Sequence, residues 1–142
     1  MKTLFVLLCL SCSILHAQKG DSWKIIHNGK TILTGSPAKE EAALVGTISR
    51  ASITKKGALQ VVYASSALQK GWQRTISVYN DAEQELVTTK GGKLTLTNEK
   101  LERLMASSGT ISIYTVSLPT DPAKQAVVRV RRVLLGKITL RR

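Results

Sequence analysis

Residues 22–34 read Ser22-Trp23-Lys24-Ile25-Ile26-His27-Asn28-Gly29-Lys30-Thr31-Ile32-Leu33-Thr34. Two β-prone runs flank the Asn-Gly pair, whose backbone tolerates the positive φ that a two-residue type I′ turn requires. The stretch therefore predicts a β-hairpin. A regular two-residue turn would pair Ile25 with Ile32 and Trp23 with Thr34 across the two strands.

Short β-prone runs dominate the rest of the chain as well. They lie at 45–54, 59–64, 73–79, 86–89, 93–97, 110–118, 126–135 and 137–140, the last two hinged near Gly136. Breaks rich in Lys, Gly and Pro separate them. Many short strands at regular spacing with little helix are typical of an all-β sandwich or small barrel. We expect an antiparallel β-sandwich, with an immunoglobulin-like arrangement as one candidate.

One segment has a clear helical pattern. A short α-helix is predicted at 99–107, with Asn98 as its N-cap, Glu99 at its positive end and Gly109 ending it in a left-handed conformation. Its apolar stripe consists of Leu101, Leu104 and Met105. A shorter helical turn is predicted at 38–44, where Ser36 can cap it and Pro37 suits the first position.

The N-terminus has the pattern of an export signal. A short positive start is followed by an apolar run at 4–15 and then by Ala17, which is typical of a cleavable secretory signal peptide. The run is shorter than the roughly 20 apolar residues that span a bilayer. We expect residues 1–17 to be removed and 18–142 to form one domain in the periplasm or outside a Gram-negative cell.

Removal of the signal changes the composition of the domain. Of 142 residues, 17 leave with the signal and 125 remain, and both cysteines leave. The domain is therefore held together by packing, which a chain of this size can provide. Of 21 basic residues, Lys2 also leaves, so 20 face 9 acidic ones and the net charge is +11. Such a charge favours polyanionic partners, although it also serves solubility.

The C-terminal segment concentrates this charge. In strand geometry Arg129 and Arg131 share one face with Val127, while Val128 and Val130 point the other way. A folded-back hairpin would place further cations beside them. The predicted anion-binding strip consists of Arg129, Arg131, Arg132, Lys137 and Arg141. Arginine binds phosphate, sulfate and carboxylate bidentately. The alternative is that these charges protect an edge strand from pairing with other chains.

Other candidate residues indicate no chemistry. His27, the one histidine left after cleavage, is expected to be a surface residue beside a turn, and without cysteines it cannot complete a usual zinc site. Two Ser-x-x-Lys patterns start at Ser36 and Ser52, but the Ser-Asp-Asn and Lys-Thr-Gly elements of penicillin-binding enzymes are missing from the sequence. The alternating acids Asp81, Glu83 and Glu85 fit a solvated turn better than a calcium loop. The sequence thus predicts no catalytic, cofactor-binding or metal-ligating residue.

Two parts of the chain carry a resemblance. The tail reads Leu118-Pro119-Thr120-Asp121-Pro122, then Val128-Arg129-Val130-Arg131-Arg132-Val133, and the signal ends in Ala17-Gln18. This combination resembles small secreted proteins of Bacteroidota-type bacteria. The resemblance implies a Gram-negative envelope or extracellular setting. It carries over no activity, cofactor or functional residue.

The function predicted from these observations is non-enzymatic binding. A basic C-terminal β-hairpin would contact an anionic glycan, lipid or protein surface. Nucleic acid is disfavoured, because single-strand binders add aromatic platforms and few aromatic residues remain here. A small hydrolase with a scattered site, and an inhibitor or accessory subunit that adds a strand to a partner, are the alternatives from other classes. The oligomeric state stays open.

Overall fold

A computed structural model describes residues 20–65 and 70–142. The predicted signal peptide at 1–17 and its cleavage site lie outside these residues. The described residues form nine strands, three short α-helices and a 3₁₀ turn at Glu41–Ala43. The strands are β1 (Ser22–His27), β2 (Lys30–Gly35), β3 (Val45–Ser49), β4 (Ala58–Ala64), β5 (Trp72–Tyr79), β6 (Glu85–Lys90), β7 (Lys93–Thr97), β8 (Thr110–Pro119) and β9 (Val133–Arg141). The helices are α1 (Arg50–Ile53), α2 (Asn98–Met105) and α3 (Pro122–Gln125). None of these described helices is long and apolar enough to cross a bilayer.

The strands form two sheets. One has the order β2-β1-β4-β7 and the other the order β3-β9-β8-β5-β6. This confirms the predicted all-β sandwich. One detail of that prediction is wrong, because β3 and β9 pair in parallel and make the second sheet mixed. Strands so far apart in sequence are not joined by a tight turn, so turn signals give no information about their direction.

The strand order corresponds to an immunoglobulin-like sandwich. Strands β1-β4-β7 take the places of A-B-E in one sheet, and β9-β8-β5-β6 take those of G-F-C-C′ in the other. The described residues contain no strand in the place of D, since β6 and β7 are consecutive and lie in different sheets. This arrangement serves many unrelated functions. The function must therefore be argued from particular surfaces.

The predicted hairpin forms with an unexpected register. Asn28 and Gly29 have φ values of 49° and 80°, as the two-residue turn requires. A bulge between Ile25 and Ile26 then shifts the pairing, so that Ile25 lies opposite Leu33 and Trp23 lies opposite Gly35. The predicted pairs Ile25–Ile32 and Trp23–Thr34 are wrong. The extra residue brings Gly35 against the indole of Trp23.

The core lies between the two sheets and is closed at one end by α2. Its fully buried large side chains are Trp23, Ile25, Leu59, Val61, Ile76, Leu96, Leu101, Met105, Ile111, Ile113, Leu135 and Ile138. The helix predicted at 99–107 is confirmed as α2, and Gly109 follows it with φ 66°. Its N-cap is Thr97, whose hydroxyl accepts from the backbone N–H of Lys100. The predicted cap, Asn98, is instead a buried residue of the first turn.

Two predicted segments are shorter than expected. The strand predicted at 45–54 ends at Ser49, whose hydroxyl accepts from the N–H of Ser52 and starts α1, so that Ile53 enters the core. The helical turn predicted at 38–44 is reduced to the 3₁₀ turn Glu41–Ala43, and no side chain caps it.

Candidate functional site

The basic C-terminal segment does not form the predicted hairpin. After α3, residues 126–132 follow an irregular path, and β9 is one strand that starts at Val133 and runs through Gly136. Gly136 lies inside this strand, and a Cβ at this position would come within 2.5 Å of Leu33 Cδ2 and 2.6 Å of Ile25 Cδ1. The glycine is required for packing between the sheets and does not mark a turn. The predicted strand at 126–135 is therefore mostly loop.

Strand β9 lies between β3 and β8, and it pairs with β3 at 137–141 and with β8 at 133–139. Protection of an edge therefore does not explain Lys137 and Arg141, which both lie opposite residues of β3. Arg129, Arg131 and Arg132 precede the part of β9 at 133–136, which pairs with β8 and has no partner in β3. For these three arginines edge protection stays an alternative.

Arg132 fastens this segment to the outer face of the five-stranded sheet. Its guanidinium lies 4.1 Å from the ring centroid of Tyr114 and 4.9 Å from that of Tyr79. It also donates to Glu83 at 2.7 Å, and this hydrogen bond raises the pKa of Arg132. The hydroxyl of Tyr79 donates to Glu85 at 3.0 Å, while burial and this bond raise the pKa of Tyr79. Arg132 is thus a structural anchor as well as a cation.

The other predicted cations face solvent. Arg129 and Arg131 are exposed in the loop at 126–132. Lys137 and Arg141 are exposed on β9, opposite Val45 and Ser49 of β3. The alternation of a strand places these two on one face, about 13 Å apart at roughly 3.3 Å per residue. The structure therefore divides the predicted strip into a loop pair and a strand pair, with Arg132 anchored between them.

The segment carries charge of a single sign. Seven Lys and Arg residues and no Asp or Glu follow Asp121 in the sequence. Across 20–65 and 70–142 the ion pairs are Arg103–Glu99 and Arg132–Glu83. Arg129, Arg131, Lys137 and Arg141 therefore have no acidic partner within those ranges.

The loop also exposes two valines that the sequence did not single out. Val127 is 83% exposed and Val130 is 51% exposed. The sequence predicted a strand in which Val130 points away from Arg129 and Arg131. The strand prediction is wrong, because 126–132 form a loop in which Val130 is exposed. The valine–arginine alternation is the same in a strand and in an open loop, so it does not distinguish them.

A second candidate region lies at the end of the sandwich that α2 closes. A pocket of about 440 Å³ is lined there by Ile53, Thr54, Lys55, Lys56, Gly57, Thr97, Asn98, Glu99 and Glu102. Asn98 Nδ2 donates to Asn28 Oδ1, to the Ser52 carbonyl and to the Lys55 carbonyl, at 3.0, 3.2 and 2.8 Å. Its Oδ1 lies 3.0 Å from His27 Nε2. These hydrogen bonds connect the start of α2 to the β1–β2 turn, to α1 and to the loop that follows α1.

The structure corrects the prediction for His27 and shows no activated serine in the two Ser-x-x-Lys patterns. His27 is 5% exposed and faces the core side of β1, so it is not a surface residue. In the two Ser-x-x-Lys patterns, Lys39 donates to the Thr34 carbonyl and the Ser52 hydroxyl donates to the Ser49 carbonyl. Neither contact activates a nucleophile.

The acidic residues form the predicted turn. The side-chain oxygen of Asn80 accepts from the N–H groups of Ala82 and Gln84. Glu83 pairs with Arg132, and Glu85 accepts from Tyr79. Among the described residues no group of three His, Cys, Asp or Glu side chains is arranged to hold a metal ion.

No protein-family model matches the chain, and the comparison with curated proteins finds none that is significantly similar. The strand order thus defines the class, an immunoglobulin-like β-sandwich, and the surfaces of the molecule must indicate its function.

Proposed function

We propose that the protein is an exported, non-enzymatic binding module whose basic C-terminal segment, residues 124–142, binds closely spaced anionic groups. Phosphate, sulfate and carboxylate groups on a glycan, a lipid surface or a protein of the cell envelope have the required chemistry. The setting follows the signal-peptide pattern at 1–17.

One observation supports this proposal most directly. Arg129, Arg131, Lys137 and Arg141 are exposed and have no acidic partner among residues 20–65 and 70–142. Protection of an edge strand does not explain Lys137 and Arg141, because both lie opposite residues of β3 in a strand that also pairs with β8. Guanidinium groups bind oxyanions bidentately, and they are more weakly hydrated than lysine ammonium groups. Exposed cations that lack an acidic partner are therefore suited to a polyanion.

The arrangement of the loop adds to this support. The side chain of Gln125 donates to the Pro119 carbonyl at 2.7 Å, and Arg132 is held by two tyrosines and Glu83. Both ends of the loop at 126–132 are thus attached to the sheet. A loop that is already ordered loses less conformational entropy on binding.

The test is salt-gradient elution of the mature protein from immobilised heparin. The variant Arg129→Gln/Arg131→Gln/Lys137→Gln removes three exposed cations of the segment. The control Lys24→Gln/Lys30→Gln/Lys93→Gln removes three exposed cations of the four-stranded sheet, so both variants lose the same charge.

We expect the first variant to elute at clearly lower salt than the control, because contacts at a defined site release more counterions than diffuse attraction. Equal shifts of the two variants would show that charge acts diffusely and would overturn the proposal.

A further inference from the structure

The loop at 126–132 combines exposed apolar and basic side chains. Val127 and Val130 are 83% and 51% exposed, and they stand among Lys124, Arg129 and Arg131. Single exposed apolar residues are common on protein surfaces. Here two of them share one anchored loop with the exposed Arg129 and Arg131, and Lys124 of the preceding helix α3 is exposed as well. The loop therefore presents apolar and basic side chains together.

A sulfated or phosphorylated glycan would use the cations and leave both valines in water. A second copy of this chain would bring the same cations against them, and the formal net charge of the whole chain is already +12. The interfacial region of an anionic bilayer accommodates both kinds of side chain, because it offers phosphates beside acyl chains.

We infer that the loop at 126–132 docks the protein on an anionic lipid bilayer, with Val127 and Val130 entering the interface and Arg129 and Arg131 binding headgroup phosphates. The inference rests on the proposed function, since it names the partner of the same basic segment. Arg132 stays on Tyr79 and Tyr114 and holds the loop in place.

The opposite sheet supplies a matched control. Val62 is 37% exposed and lies opposite Lys24 on one side and Lys93 on the other. It is therefore also an exposed valine between cations, but it lies within a strand of a regular sheet. At 37% exposure Val62 offers a bilayer less apolar surface than Val127 at 83% or Val130 at 51%.

The experiment measures co-sedimentation of the mature protein with vesicles of phosphatidylcholine, alone or mixed with phosphatidylglycerol. The variants are Val127→Ser/Val130→Ser, Arg129→Gln/Arg131→Gln and Val62→Ser, and each is also run on heparin. The first pair should weaken binding to the mixed vesicles by about tenfold through lost apolar burial, with heparin elution unchanged. The Arg129→Gln/Arg131→Gln variant should weaken binding both to the mixed vesicles and to heparin. Val62→Ser should change neither kind of binding.

The outcomes separate the inference from the function on which it rests. If the valine pair binds mixed vesicles as tightly as the wild type while the arginine pair loses both partners, the site recognises charge alone and bilayer insertion is wrong. The inference would also be overturned if the wild type bound vesicles of pure phosphatidylcholine as strongly as the mixed vesicles. If the arginine pair loses neither partner, the proposed function fails with it. Thermal unfolding of each variant verifies that these exposed substitutions leave the fold intact.

Discussion

Nε2 of His27 lies 3.0 Å from Oδ1 of Asn98, a residue 71 positions further along the chain. The amide nitrogen of Asn98 donates to three oxygens, so its Oδ1 must be the acceptor and Nε2 of His27 must carry the hydrogen. Asn98 is 3% exposed. Its hydrogen bonds join the start of α2 to the β1–β2 turn, to α1 and to the loop after α1.

Asn98→Ala should destabilise the domain by roughly 2–4 kcal/mol, because it leaves three partly buried acceptors and the N–H of the buried His27 without their partner. Urea unfolding at neutral pH measures this loss. The neighbouring Glu99→Ala, which removes one exposed ion pair with Arg103, should cost less than about 1 kcal/mol. Equal costs for the two variants would show that the network contributes little.

The N-terminal hairpin shows how far local sequence determines this fold. The Asn-Gly turn was predictable because only its own two residues must adopt positive φ. The bulge between Ile25 and Ile26 was not predictable, because the register of the two strands also depends on packing between them. The indole of Trp23 occupies the space where a side chain on Gly35 would begin, 2.2 Å from Nε1. Only the packed structure shows that Trp23 requires a glycine opposite.

Gly35→Ala should therefore destabilise the protein by at least about 2 kcal/mol, since the new methyl group must displace the buried indole. The same indole donates to the Leu135 carbonyl at 2.7 Å, so its displacement also strains that bond. Gly20→Ala is the matched control, because nothing lies within 4 Å of a Cβ there. Chemical denaturation of both variants gives the comparison, and a neutral Gly35→Ala would mean that Trp23 moves without cost.

Tyr63 should make the stability of the domain sensitive to alkaline pH. Burial, followed by its hydrogen bond to Asp21, raises the pKa of Tyr63 to about 12, against the lowering effect of Arg74. The phenol of the unfolded chain ionises near pH 10. The stabilisation by neutral Tyr63 is thus complete below about pH 10 and is lost as the pH rises towards 12.

Tyr63→Phe removes this dependence, because phenylalanine does not ionise in either state. The unfolding free energies of wild type and variant should run parallel from pH 7 to about pH 9, and the wild type should then fall more steeply up to about pH 12. Thermal or urea unfolding across this range measures both curves. Parallel curves throughout would show that Tyr63 ionises equally in both states.

The candidate site was predictable in composition and not in shape. The run of cations without acids after Asp121 can be read from the sequence. The position of Arg132 depends on Glu83, Tyr79 and Tyr114, which belong to other elements and approach it only after the sheet has formed. The Val-Arg alternation predicted a strand because no local signal shows whether a neighbouring strand is present to pair with it.

Arg132 and Arg131 are adjacent in sequence and should differ in their roles. Arg132→Gln removes an ion pair and the stacking on two tyrosines, which should cost about 0.5–2 kcal/mol of stability. Arg131→Gln removes an exposed side chain without an acidic partner among the described residues, and should cost almost none.

Heparin elution should reverse this order, because Arg131 is available to an anion whereas Arg132 is already held by Glu83 and the tyrosine rings. Arg131→Gln should therefore elute at lower salt than Arg132→Gln, although the two variants have equal charge. If Arg132→Gln elutes first, either Arg132 exchanges Glu83 for the anion or the loop requires its anchor in order to bind. Glu83→Gln distinguishes these cases, since it strengthens binding if Arg132 is released to the anion and weakens it if the anchor is needed.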